Sequence, residues 1–138
     1  MRHLAAAVLS ACLVMLAAGA VSAQTAVVNP TIVSFTASPD HNATNLDSSP
    51  AVVRYEMRVF LPTAMGTIVV AQDLGKPTPT AGQITANLGT TVIAALVKNT
   101  SYLAKVAAIG TYGEGVSDAS NPFGFAAPPT KPGAPVLK

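Results

Sequence analysis

Apolar and polar positions alternate in short runs along most of this chain, and turn-favouring residues interrupt the runs every few positions. A period of two marks half-buried strands, whereas the 3.6-residue period of an amphipathic helix is almost absent. Residues 31–38 alternate and stop at Pro39-Asp40, which predicts a strand followed by a polar loop to Pro50. Residues 52–61, stopped by Pro62, carry the clearest pattern. There Val53, Tyr55, Met57 and Val59 share the expected core face, and Arg54, Glu56, Arg58 and Phe60 share the opposite one. Residues 67–74 predict a further strand ended by Gly75-Lys76-Pro77, and 83–88 a weak edge strand before the break at Gly89. Strands over 90–96, 102–109 and 119–126 complete the expected set. Short strands at this spacing predict an all-β sandwich or barrel. No repeat of solenoid length is visible.

The first 23 residues break the pattern. Met1-Arg2-His3 precedes an apolar run from Leu4 to Ala18, and Gly19-Ala20-Val21-Ser22-Ala23 follows. A positive start, a short apolar centre and a small-residue end predict a secretory signal peptide cleaved after Ala23. The run is short for a membrane span. Leu9-Ser10-Ala11-Cys12 matches a lipoprotein cleavage pattern, but a cut there would leave the long apolar run downstream, the wrong order for a leader. Cys12 is the sole cysteine, so an exported domain, secreted or held in the periplasm or cell envelope, would lack disulfides. Residues 24–126 then form the domain, and 127–138, with four prolines in twelve residues, an extended tail. Eight Lys and Arg, one of them Arg2 in the leader, stand against six Asp and Glu, leaving the exported part near +1. That balance, with no basic run, argues against nucleic acid and against a polybasic membrane surface.

From Leu96 the chain reads Leu96-Val-Lys98-Asn99-Thr100-Ser-Tyr102-Leu-Ala104-Lys-Val106-Ala-Ala108. This resembles the E–F corner and F strand of fibronectin type III domains, where a leucine precedes a tyrosine by six positions. Lys98 and Asn99 stand where that family usually has Pro and Gly, and Asn is the ordinary residue most tolerant of a left-handed backbone. The resemblance covers about residues 30–126 and implies an immunoglobulin-like antiparallel sandwich. It implies that Tyr102 buries its ring and bonds backbone near the turn through its hydroxyl. Tyr102, Ala104, Val106 and Ala108 would point inward, and Leu103, Lys105, Ala107 and Ile109 outward. Gly110 to Asn121 resembles the family's Gly-rich F–G loop and the start of strand G, and Tyr55 its strand-C tyrosine. Phe35 stands where a strand-B tryptophan is usual, implying a looser core. With cleavage after Ala23 the first strand is expected to be short or missing. Phe35, Tyr55, Leu96, Tyr102 and Val106 are thus the expected structural residues.

Candidate chemistry is sparse. His41 is the one histidine after the leader, and no nucleophile elbow accompanies it. Asp40, His41 and Asp47 read as loop-tip polar groups, because metal sites normally converge three or more ligands. The acids, Glu56 and Glu114 among them, are scattered. The loop from Gly110 to Gly115 joins strands and opens no helix, so it is no phosphate cradle. Asn42-Ala-Thr44 and Asn99-Thr-Ser101 are glycosylation triplets whose use depends on the host. The expectation is an exported module without catalytic residues, cofactor or metal, binding an unidentified protein or polysaccharide; a structural spacer or accessory subunit is the alternative. The expected partner surface comprises Arg54, Arg58, Phe60, Lys105 and Ile109, with Tyr112 in the neighbouring loop; the alternative for this face is a solvated surface with Arg and Glu paired across strands. Intact-mass analysis of the exported form is expected to place Gln24 at the amino terminus. A lipid-modified Cys12 or an uncut leader in membranes would overturn that reading.

Overall fold

The stretch with the clearest alternation lies inside the largest sheet. The computed structural model, which describes residues 24–131, places it as β3 (Arg54–Phe60) between β4 (Ile68–Gly75) and β6 (Leu103–Ile109), with β7 (Glu114–Val116) beyond β6. Every neighbouring pair in this sheet is antiparallel. β2 (Ile32–Thr36) and β5 (Gln83–Asn87) form a separate antiparallel ribbon. The short β1 (Val27–Val28) runs parallel to β8 (Phe123–Gly124). One short helix, α1 (Thr90–Ala95), interrupts the strands, so the described chain is all-β in class. Among the described residues no helix is long and apolar enough to cross a membrane. The leader, Cys12 and the last seven residues of the tail lie outside the described residues.

Two apolar clusters join the ribbon to the sheet. The upper one gathers Val52, Tyr55, Ile84 and Val106, with Phe35, Ala37 and Ala108 at its margin. The lower one gathers Met57, Val59, Val92, Leu96, Tyr102, Ala104, Phe123 and Phe125. Each fully buried large side chain contributes roughly 1.5–3 kcal/mol. Phe35 is only half-buried, its ring 5.2 Å from that of Tyr55.

Several expectations from the pattern are corrected. Residues 90–95 are helical, not extended: α1 buries Val92 in the lower core, and Leu96, extended just after the helix, is buried there too. Val53 is exposed because β3 begins one residue later, and Val52 takes the buried place. Phe60 is buried, 6 % exposed, at a register shift against β4. Ala107 occupies an outward register position yet is completely buried. The expected strand over 119–126 is reduced to β8, and β7 forms within the run read as loop. Between them Ser117 and Ser120 replace ladder partners, each Oγ accepting an N–H of β6, from Val106 and Ala104 respectively, at 3.0 Å.

The segment between α1 and β6 is fixed by Tyr102. Its buried hydroxyl accepts the Val97 N–H at 2.9 Å, five residues upstream. Asn99 is left-handed, with φ 58°. Its N–H donates to the Phe125 carbonyl at 2.7 Å, and its Oδ1 accepts from Ala127 N–H at 3.1 Å. Lys98 lies 4.8 Å over the Phe125 ring, a cation–π contact. Tyr102→Phe leaves the Val97 N–H without its acceptor and is expected to destabilise the domain by about 1–3 kcal/mol. Tyr102→Ala, which also opens a cavity, should lose about 3–5 kcal/mol. Urea melts of both variants decide it; wild-type midpoints would show that this hydroxyl and ring do not hold the corner.

Candidate binding site

The outward face of the four-stranded sheet is a line of charge. Alternation puts Arg54, Glu56 and Arg58 on one side of β3, two residues apart, so Glu56 sits between two cations. It accepts from Arg54 Nη1 at 3.0 Å and from Arg58 Nε at 2.7 Å. Arg54 also lies 3.6 Å from Asp73 on β4. Arg58 forks onto Glu114 of β7, at 2.8 and 2.6 Å. To do so it crosses β6. Register pairs Arg58 with Lys105 and Glu114 with Ile109, so the bridge passes midway, at Ala107. That crossing accounts for a fully buried alanine on an outer face, and a larger side chain there would part the pair.

The structure brings Arg54, Arg58, Lys105 and Ile109 onto this face, as the sequence implied. Phe60 belongs to neither core cluster but is buried beside its cross-strand partners Leu103 and Ile68, so it offers no exposed anchor. Tyr112 stands apart in the β6–β7 turn, exposed, its hydroxyl donating to Asp47 Oδ2 at 2.6 Å. The guanidinium of Arg58 is satisfied on both sides and its side chain is only 17 % exposed. This face is built to hold itself together.

His41 is no loop-tip residue. It is buried, its ring stacked on Tyr55 at 5.8 Å, with Nδ1 3.0 Å from the Tyr55 hydroxyl. That hydroxyl accepts the Ser38 N–H at 3.1 Å. Asp47 accepts from Ser49 and Tyr112. Among the described residues no three His, Cys, Asp or Glu side chains gather as a metal site.

The two sides of the layered core differ. On the β4–β5 side Gln72 closes the seam: its Nε2 donates to the Asn87 carbonyl at 3.0 Å and its Oε1 accepts the Gly89 N–H at 2.9 Å. On the β2–β7 side a cleft of about 610 Å³ stays open, lined by Val33, Phe35, Ala37, Val106, Ala108 and Gly115 among others. A smaller cavity of about 150 Å³ beside β1 continues it, sharing Val33, Ser34, Ala104 and Ser120. Sequence reasoning anticipated the short first strand but not the concavity it leaves; the signal was the alternation of Val33, Phe35 and Ala37 beside a β1 of two residues.

Ion pairing makes the fold sensitive to acid. Hydrogen bonds from Arg58 and then Arg54 hold Glu56 below its ordinary range, and Arg58 does the same for Glu114. Hydrogen bonds from Ser49 and Tyr112 bring Asp47 down to about 2. A carboxylate lowered in this way stabilises the fold above its unfolded value, and that contribution is lost as pH falls through the lowered one. The stability gap between wild type and Arg58→Met should therefore be full at neutral pH and close as pH falls below about 4.3. Urea midpoints at a series of pH values test this; a gap independent of pH would show that the bridge contributes no charge-dependent stability.

The chain matches no family model, no curated protein and no solved structure.

Proposed function

We propose that this chain is an exported, non-catalytic binding or adhesion module built on a fibronectin type III-like sandwich. Four features support the sandwich: β3 and β6 are neighbours, β2–β5 packs across from them, Leu96 and Tyr102 are both buried, and the Tyr102 hydroxyl bonds backbone a few residues upstream. The polar residues that could suggest chemistry are engaged in the fold, His41 with Tyr55, Glu56 and Glu114 with arginines, Asp47 with Ser49 and Tyr112.

The observation that carries the binding reading is the asymmetry between the two seams. One is closed by Gln72, while the other exposes a concave, largely apolar surface. Concave apolar surfaces with a few polar groups are where ligands and partners bind. The partner would be a protein or polysaccharide of the extracellular or envelope compartment. A spacer or accessory subunit, linked through the tail from residue 127, is the second reading, favoured by Ala127–Lys131 being exposed and without regular structure.

Photo-cross-linkers at Ser34 in the cleft, Lys105 on the charged face, Tyr112 in the turn and Thr130 in the tail discriminate these. With the exported fraction of the source organism, the binding reading expects one defined adduct from a domain position. Adducts from Thr130 alone would favour the spacer. No adduct above an unrelated control protein at any position would sink both.

A further inference from the structure

We infer that the open seam is a strand-acceptor site, which takes an extended β-strand of a partner protein against the free edge of β2. The inference rests on the binding-module reading and names the class of ligand. Backbone directions supply the argument. In the β2–β5 ribbon Ala37 N–H donates to the Gly82 carbonyl, and the Thr31 carbonyl accepts from Leu88 N–H. Odd-numbered residues of β2 therefore spend their backbone groups on β5. The N–H and C=O groups of Ile32, Ser34 and Thr36 point the other way, along an edge that pairs with no strand among the described residues. Beyond that edge, at Ser38, the same direction is already used, because this N–H donates to the Tyr55 hydroxyl. An unpaired edge of this kind is a template for another chain.

The cleft beside the edge fits one kind of occupant. Residues 33–39 all line it, and at every second position the side chains of Val33, Phe35 and Ala37 pack against the core clusters, the two-residue period of a strand. β1 already lies at its lower end, parallel to β8. A strand continuing the line of β1 upward would run antiparallel to β2. The chain's own start cannot supply it once the leader is removed. Only Gln24, Thr25 and Ala26 then precede β1, a reach of about 10 Å at roughly 3.3 Å per residue, against about 16 Å for β2. Asn121 Nδ2 moreover holds the Thr25 carbonyl at 3.1 Å beside the approach to β8. The other end of the chain is a poor donor, since its prolines lack N–H groups. Asp118 is the one charged residue among those lining the cleft, which favours a strand that is neutral or basic and disfavours an acidic one.

The test uses the processed chain and a defined probe, the fluorescein-labelled peptide KTVTVTVK, with a control in which alternate residues are proline. Binding by anisotropy, together with at least tenfold slower hydrogen exchange at Ser34 and Thr36, is the expected result, and the proline peptide should do neither. Ser34→Pro removes one outward N–H while leaving the ladder to β5 intact, and should abolish binding. Gly115→Val provides a variant that does not touch β2. A Cβ at Gly115 meets nothing within 4 Å, and Gly115 pairs with Ala108, which faces inward, so the added side chain enters the cleft. It should keep the melting midpoint and lose the peptide, even if the proline variant fails to fold.

Unchanged exchange at Ser34 and Thr36 with saturating peptide would overturn the inference, as would equal protection by the proline peptide. So would concentration-dependent protection with dimers in sedimentation, which would make a second copy the occupant. A chain retaining residues 1–23 whose β2 edge is already protected would assign the site to its own leader. A specific adduct at Lys105 or Tyr112 alongside a failed peptide would leave the binding module standing and remove only the strand-acceptor site.

Discussion

Two tyrosine hydroxyls tie this fold together where many small domains use a covalent cross-link. Each is buried, and each accepts a backbone N–H from a segment that would otherwise leave the body: Ser38 for Tyr55 and Val97 for Tyr102. One tie lies at the upper end of the core and the other at the lower end. Between them the ribbon of β2 and β5 is held over the larger sheet largely by apolar contact. A backbone N–H buried without an acceptor is costly. The rings therefore do more than fill volume, since their position fixes where the chain enters and leaves each layer. His41 belongs to the same arrangement, its Nδ1 hydrogen-bonded to the Tyr55 hydroxyl.

The central sheet was legible because its information is local. Val52–Leu61 alternates apolar with charged residues, which places Tyr55, Met57 and Val59 inside, and for Tyr102–Ile109, apolar on both faces, the resemblance at Tyr102 points Ala104 and Val106 inward. What failed was also local, but depended on neighbours the sequence does not name. Thr90-Thr91-Val92-Ile93 has the β-branched composition of a strand, yet it folds as a short helix that buries Val92 in the lower core, with Leu96 buried just beyond its end. Phe60 obeys the expected parity against β6 and is nevertheless buried, because the partner strand on its other side shifts register there. Ala107 hides beneath a bridge formed by residues 49 and 7 positions away, which no window of sequence contains. The cleft was the least legible feature, being defined by a strand too short to fill its place.

The charged face illustrates how a surface suggestive of recognition can be structural. Arginine forks fit carboxylates, as Arg58 does on Glu114, and single bonds from Arg54 and Arg58 to Glu56 join that fork into a network in place of isolated pairs. Exposed pairs contribute little individually. Here the network spans β3 and β7 across β6, so it joins strands that are not neighbours and braces the sheet against shear. A partner docking on it would have to compete with contacts already made.

Gln72 gives the body a spine. Its amide staples β4 to the β5–α1 junction, while among the described residues nothing comparable joins β2 to β7. A two-leaved object stapled along one side is stiff to sliding there but compliant to spreading along the other. Spreading the ribbon from the sheet would thus break fewer hydrogen bonds on the β2–β7 side than along the Gln72 edge.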